Sequence, residues 1–195
     1  MQMIDAGRRA DVARVLRTTP GVATARIERG ATREISEEFF LPACLLQLYA
    51  GDTLLHVAAA AYDVVLARDL IAAGADVGAQ NRRRGQPIHS VVNGVPGSSA
   101  WNPHAQAAMV SYLIEAGADP DAAAAGRVTP LHRAVRNRCS AAVRALLDAG
   151  ADPHRANDAG STAIMLAGWT TGRGGSGLPA AKAEQATIVH MLTSL

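Results

Sequence analysis

The chain of 195 residues is poor in several things at once. It has two cysteines, Cys44 and Cys139, too few for a disulfide framework, which points to a reducing, cytoplasmic compartment. Aromatic residues make up 4%, so a core built on large rings is excluded and one of close-packed, alanine-rich helices is expected. No apolar run reaches the ~18 residues that a membrane-spanning helix needs, and residues 1–17 lack the apolar heart of a signal peptide. The net charge is only +2, which argues against generic binding to nucleic acid or membrane surfaces. Lysine is nearly absent as well: Lys182 stands alone among the basic residues, the rest being arginine, a bias typical of a GC-rich genome. The charge is unevenly placed, at +4 over residues 1–33, −6 over 34–76 and +4 over 77–173.

What the chain does have is a period. Thr53-Leu54-Leu55-His56 and Thr129-Pro130-Leu131-His132 share a pattern, and Gly-Ala-Asp begins at 74, 117 and 150. His89 follows His56 by 33 residues, Met165 follows His132 by 33, and Gly150 follows Gly117 by 33. The physics of each stretch is local. Thr129 suits a helix N-cap and Pro130 the first helical position, where a missing N–H costs nothing. Leu131 opens a buried stripe. Gly150 suits the left-handed residue that stops a second helix, and Asp152-Pro153 starts the next turn. A fixed period of this size is the mark of a stacked repeat protein.

On these residues the chain resembles the ankyrin repeat family over 51–195, as a small, bacterial-type member with extended loops between its paired helices. The resemblance implies an all-α solenoid of helix-turn-helix repeats joined by hairpins. Four repeats are expected, at about 51–79, 80–122, 123–155 and 156–195, after an atypical capping segment, 1–50. First helices are expected at 54–60, 87–93, 130–137 and 163–169, and second helices at 63–73, 103–116, 140–149 and 180–193. Residues 3–17 read as the outer helix of the cap, and 34–49 as a further helical piece broken near Pro42. The glycine two places before the threonine is present as Gly51 and Gly160 but replaced by Arg84 and Arg127, which should weaken those hairpins. In this family the imidazoles at 56, 89 and 132 brace the hairpins; lying a whole repeat apart, they cannot share a metal ion. No metal, cofactor or catalytic residue is expected.

Two interruptions stand out. Ten extra residues, 94–103, separate the helices of the second repeat, and a similar insertion falls around 171–179 in the fourth. Each lies beside one of the two tryptophans, Trp101 and Trp169. Insertions in repeat arrays map to one face, often the binding face. Gly172 to Gly177 lacks the lysine of a phosphate-binding loop and follows no strand, so it reads as a linker. Cys139 lies near Arg136, Arg138 and Arg144, which could activate its thiol, although a small buried side chain is the simpler reading.

The resemblance places contacts on hairpin tips and at the ends of first helices. That nominates Arg83, Asn93, Arg136, Asn137, Trp169 and Thr170, and the insertions add Trp101, Asn102, His104 and Arg173. Arg82, Arg83 and Arg84 crowd one hairpin, with Arg133, Arg138 and Arg173 nearby in register, and such a surface of arginine with tryptophan suits carboxylate-bearing partners. The expected function is protein–protein interaction, with the concave face of repeats two to four holding a partner of acidic surface. The alternative is a pocket closed by the two insertions around a small anionic molecule, which would make the chain a sensor or an enzyme. Self-association through apolar helix surface near Leu195 is a third possibility.

Overall fold

The computed structural model describes residues 14–32, 34–169 and 178–195. A helical turn over 14–18 (α1) comes first. Four helix pairs follow: α2 Leu54–Ala60 with α3 Val64–Ala72, α4 Pro87–Val91 with α5 Pro103–Glu115, α6 Pro130–Arg136 with α7 Ser140–Asp148, and α8 Ala163–Ala167 with α9 Pro179–Thr193. Helices α2, α4, α6 and α8 pack in succession as one layer, and α3, α5, α7 and α9 stack behind them as another. The expected helices fall on these spans, differing by two residues or fewer at each end.

The starts and stops follow from side-chain chemistry. Thr129 Oγ1 accepts from the His132 N–H at 3.3 Å, and Thr162 Oγ1 accepts from the Met165 N–H at 3.3 Å. Pro87, Pro103, Pro130 and Pro179 open their helices, where no intrahelical donor is needed. Three of the second helices end in one motif. Gly74, Gly117 and Gly150 adopt φ of 93°, 101° and 86°. The next residues, Ala75, Ala118 and Ala151, donate back to the carbonyls of Leu70, Leu113 and Leu146, each at 2.9 Å. That closes the last turn in a form only glycine enters without strain.

The core is built on leucine and isoleucine, with valine, methionine and much alanine between. Leu55, Leu70, Ile88, Leu113, Leu131, Leu146 and Ile188 are fully buried, as are Ala58, Ala59, Ala67, Ala134 and Ala142. Small residues let the layers approach closely, so any enlargement must move a helix.

The three histidines link neighbouring repeats. Thr53 donates its N–H to His56 Nδ1 at 3.1 Å, Gln86 to His89 Nδ1 at 3.2 Å and Thr129 to His132 Nδ1 at 3.2 Å. With Nδ1 accepting, the opposite nitrogen carries the proton. Nε2 then donates to the carbonyls of Gly85, Val128 and Ser161, at 3.2, 3.2 and 3.0 Å. The expected bracing role is what the geometry shows. Burial pushes all three imidazoles below their ordinary pKa, and His89, with Arg133 beside it, falls to about 3.

The segment 34–49 differs from the helix expected there. Glu37–Phe39 form one 3₁₀ turn, and Phe40–Leu41 (β1) pair antiparallel with Leu46–Gln47 (β2). Pro42 has no N–H and its ring would strike the preceding turn, so the chain reverses there, with Leu45 left-handed at φ 52°. The wider segment docks on the first repeat: Ile27 donates to the Asp52 carbonyl at 2.8 Å, and Gly51 donates to that of Ile27 at 2.7 Å. The expected helix over 3–17 is seen only from residue 14; the remainder lies outside the described residues.

Arg84 and Arg127 hold the same left-handed backbone as the glycines they replace. Their φ values are 57° and 54°, against 88° at Gly51 and 74° at Gly160. The hairpins therefore keep their shape, and the side chains are strained into it. Arg127→Gly, at an exposed position, is expected to raise stability by about 1 kcal/mol, roughly 3 °C in melting temperature, by calorimetry. A second expectation concerns pH. Unfolded histidine binds its proton near pH 6.5, whereas folded His89 does so only near 3. The unfolded chain thus binds more protons between these values, and stability is complete above about pH 6.5 and falls as the pH drops towards 3. Melting temperature should decline across that window, and His89→Asn should melt lower at pH 7.5 but decline less steeply.

Candidate interaction surface

The insertion over 94–103 is pinned to its own repeat. The Trp101 indole N–H donates to Gln106 Oε1 at 3.0 Å, and the fully buried Gln106 donates through Nε2 to the Val91 carbonyl at 2.9 Å. The indole lies over Gly94, where a Cβ would come within 2.6 Å of Trp101 Cδ1 and 2.7 Å of Cys139 Sγ. Asn102 caps α5, its Oδ1 accepting from the Ala105 N–H at 3.0 Å. Trp101 and Asn102, nominated as contact residues, thus hold the loop: the half-buried indole spends its donor and one edge internally. His104 follows on the first turn of α5 and is exposed.

Cys139 is fully buried, and burial pushes its thiol up to about 12, so the arginines near it in sequence do not activate it. Asn137 donates through Nδ2 to the Val92 carbonyl at 2.8 Å, tying the third repeat to the second. Asn93 sits half-buried beside this link. Arg136 is exposed at the end of α6. Trp169 is 51% exposed, and its carbonyl accepts from Gln185 Nε2 at 2.8 Å. Arg136 and Trp169 line one cleft with Val135, Leu166 and Gln185, but it encloses only about 10 Å³, less than a small ligand requires. Thr170 and Arg173, and most of the second insertion, lie outside the described residues. A wider, open depression of about 560 Å³ lies on the other layer, among Ala107, Ser111, Ile114, Ser140, Arg144 and Met191 of α5, α7 and α9.

A concentration of positive charge occupies the hairpin side of the first layer. The guanidinium carbons of Arg82 and Arg83 lie 5.5 and 5.3 Å from the centre of the Tyr49 ring, and Arg82 also donates to the Ala31 carbonyl. Arg133 projects from α6 beside His89 and is half-buried. Burial is the main influence against its charged form, with Arg83 next; Tyr49 acts the other way, ahead of a smaller unfavourable effect of Arg136 and a smaller favourable one of Asp52. Arginine stays protonated regardless, so this opposition is a standing electrostatic cost. Among the described residues no carboxylate forms an ion pair with Arg83, Arg133 or Arg136. Asp52 is 1% exposed and committed elsewhere, accepting from the Tyr49 N–H and from Asn81 Nδ2, each at 2.7 Å.

Arg83 and Arg136 were nominated from sequence as contacts and Arg133 as part of the same arginine surface; Tyr49 was not. A signal for Arg133 exists. Its register in the other repeats holds Val57, Ser90 and Leu166, so a charge there breaks the pattern. Tyr49 gives none, since it precedes the repeats.

Among the described residues no helix is long and apolar enough to cross a membrane, and no cluster of three or more His, Cys, Asp or Glu side chains could hold a metal ion. A family model described as "Ankyrin repeats (3 copies)" matches residues 55–157. The mouse protein Ankyrin repeat and SOCS box protein 16 is similar, 38% identical over 115 residues that cover 59% of this chain and 25% of its own length. The human protein of the same name is 34% identical over 170 residues, covering 80% of this chain and 37% of its own length. The chain therefore spans about a quarter to a third of the length of these relatives, and both are mammalian where the sequence reading expects a bacterial type. With paired helices stacked at a period of 33, histidine bridges between them and a matching family model over more than half its length, the chain belongs to the ankyrin repeat family.

Proposed function

We propose that this chain is a cytoplasmic protein-interaction module that holds an acidic partner against the first layer of helices, across its second to fourth repeats. Ankyrin repeats generally mediate protein–protein interaction. The repeats of this reading are 51–79, 80–122, 123–155 and 156–195, with residues 1–50 closing the near end. The observation that carries it is the group Arg83, Arg133 and Arg136, which has no ion-pairing carboxylate among the described residues and lies on the layer that also exposes Trp169. Guanidinium groups match carboxylates in two-point geometry, and an exposed indole supplies the apolar area typical of residues that dominate binding energy. Trp101, Asn102 and Asn137 serve this surface indirectly, by fixing the turn between the helices of the second repeat.

Panning a displayed random-peptide library on the folded chain at 150 mM salt tests the reading, since screening at that salt suppresses unspecific attraction. Selected peptides should be enriched in Asp and Glu. An Arg83→Glu, Arg136→Glu double variant should weaken them at least tenfold, and Trp169→Ala should weaken them further. Peptides with no acidic excess, or undiminished binding to these variants, would overturn it.

A further inference from the structure

We infer that the arginines beside Tyr49, together with Arg133 of α6, recognise a phosphoryl group carried on a side chain of the protein partner. The inference rests on the acidic-partner reading above and narrows it.

The site is assembled from three separated stretches. Tyr49 comes from the segment before the first repeat, Arg82 and Arg83 from the hairpin leading into the second, and Arg133 from α6 of the third, with Arg136 about one turn further along that helix. Two guanidinium groups lie against one ring, at 5.3 and 5.5 Å from its centre, and the ring quadrupole attracts each of them. Arg82 is anchored on the Ala31 carbonyl. Arg83, Arg133 and Arg136 keep their forks uncommitted among the described residues, and the first and last both disfavour the charge of Arg133. Half-burying a guanidinium beside two others without a counter-charge is costly, and the sequence elsewhere uses Val57, Ser90 and Leu166 at that register without difficulty.

Charge and shape favour a phosphoryl group over a single carboxylate. One carboxylate carries one charge and two oxygens, enough for one guanidinium fork. A phosphate monoester carries roughly −1.5 to −2 at neutral pH and three acceptor oxygens, which suits several converging forks. The surroundings favour a modified protein over nucleic acid. Residues 34–76, which border the site, carry a formal charge of −6, so a continuous polyanion would be repelled on that side where an isolated phosphoryl group would not.

The test uses four degenerate peptide pools that differ only at the central position: serine, glutamate, phosphoserine or phosphotyrosine. Binding to the full chain is read by fluorescence polarisation at 150 mM salt. At least one phosphorylated pool should bind tenfold or more tightly than both the serine and the glutamate pools. Arg133→Met and Arg83→Met should each remove that advantage, and Arg133→Lys should restore part of it. Arg133→Met should also melt no lower than the parent chain, which separates recognition from a structural role. If Arg133→Met does not fold, the exposed Arg83→Met carries the comparison. Equal binding of the glutamate and phosphorylated pools, both weakened by Arg133→Met, would overturn the phosphoryl inference and leave the acidic-partner reading standing. Phosphorylated pools that bind Arg133→Met and Arg83→Met undiminished would place recognition elsewhere and overturn it too. Failure to hold any acidic or phosphorylated pool would overturn both.

Discussion

The imidazole bridge is the constraint on which the rest of this structure hangs. Each ring accepts from the backbone at the start of its own helix and donates to a carbonyl 29 or 39 residues further on. A repeat cannot complete its own hydrogen bonding; it borrows an acceptor from the next. The acceptors are Gly85, Val128 and Ser161, and each directly follows a left-handed residue, Arg84, Arg127 or Gly160. The left-handed turn aims that carbonyl at the ring, which gives a physical reason for the backbone to keep its shape even where arginine must be strained into it. At the first hairpin the corresponding carbonyl, that of Asp52 after Gly51, accepts instead from the Ile27 N–H. The N-terminal segment thus supplies the donor that an imidazole supplies elsewhere. In the fourth repeat the register holds Met165, which has no ring nitrogen to offer and is 55% exposed.

The same bridge explains why the insertion in the second repeat is tolerated. The span from His89 to its acceptor is 39 residues and not 29, yet the bond length matches that of His56, 3.2 Å in both. The extra residues leave the stack between α4 and α5 and are drawn back by the Trp101–Gln106–Val91 chain of hydrogen bonds, with Gly94 leaving room for the indole. Ring and amide are used to return the chain to register before α5 begins. A tryptophan that looked from sequence like a binding anchor is first of all a clasp.

The repeats were legible because their signals are local: a threonine cap, a proline at the first helical position and a glycine at the stop act within a few residues of one another. Outside the repeats that logic fails. Residues 34–49 are apolar enough for a helix, and the short run Phe39-Phe40-Leu41 before Pro42 does not distinguish helix from strand by periodicity. Hydrogen bonds to Ala31 and Asp52, set by docking on the first repeat, decide the matter. The site divides the same way. Arg83 and Arg136 sit at positions the repeat geometry exposes and could be nominated by register. Arg133 shows as a charge that breaks the register, whereas Tyr49, 84 residues before it, is brought against Arg83 by the fold and no local pattern encodes it.

The electrostatics of the first layer tie folding to binding under the proposed function. Arg133 raises the cost of its own burial, is opposed by Arg83 and Arg136, and helps to hold His89 neutral. A counter-charge arriving from a partner would relieve the repulsion among the three arginines without disturbing the His89 bridge, because that ring is already neutral and donating to Val128. The structural hydrogen bonds and the charged surface are therefore separable even though they touch. One is satisfied within the chain, whereas the other lacks an ion-pairing carboxylate among the described residues. A partner that binds only the folded arrangement must then stabilise it by mass action, in proportion to its affinity and concentration. The cost carried by the free chain is the same free energy that favours the bound one, which is why a charge that weakens the fold can persist at a position where a small or apolar side chain would pack.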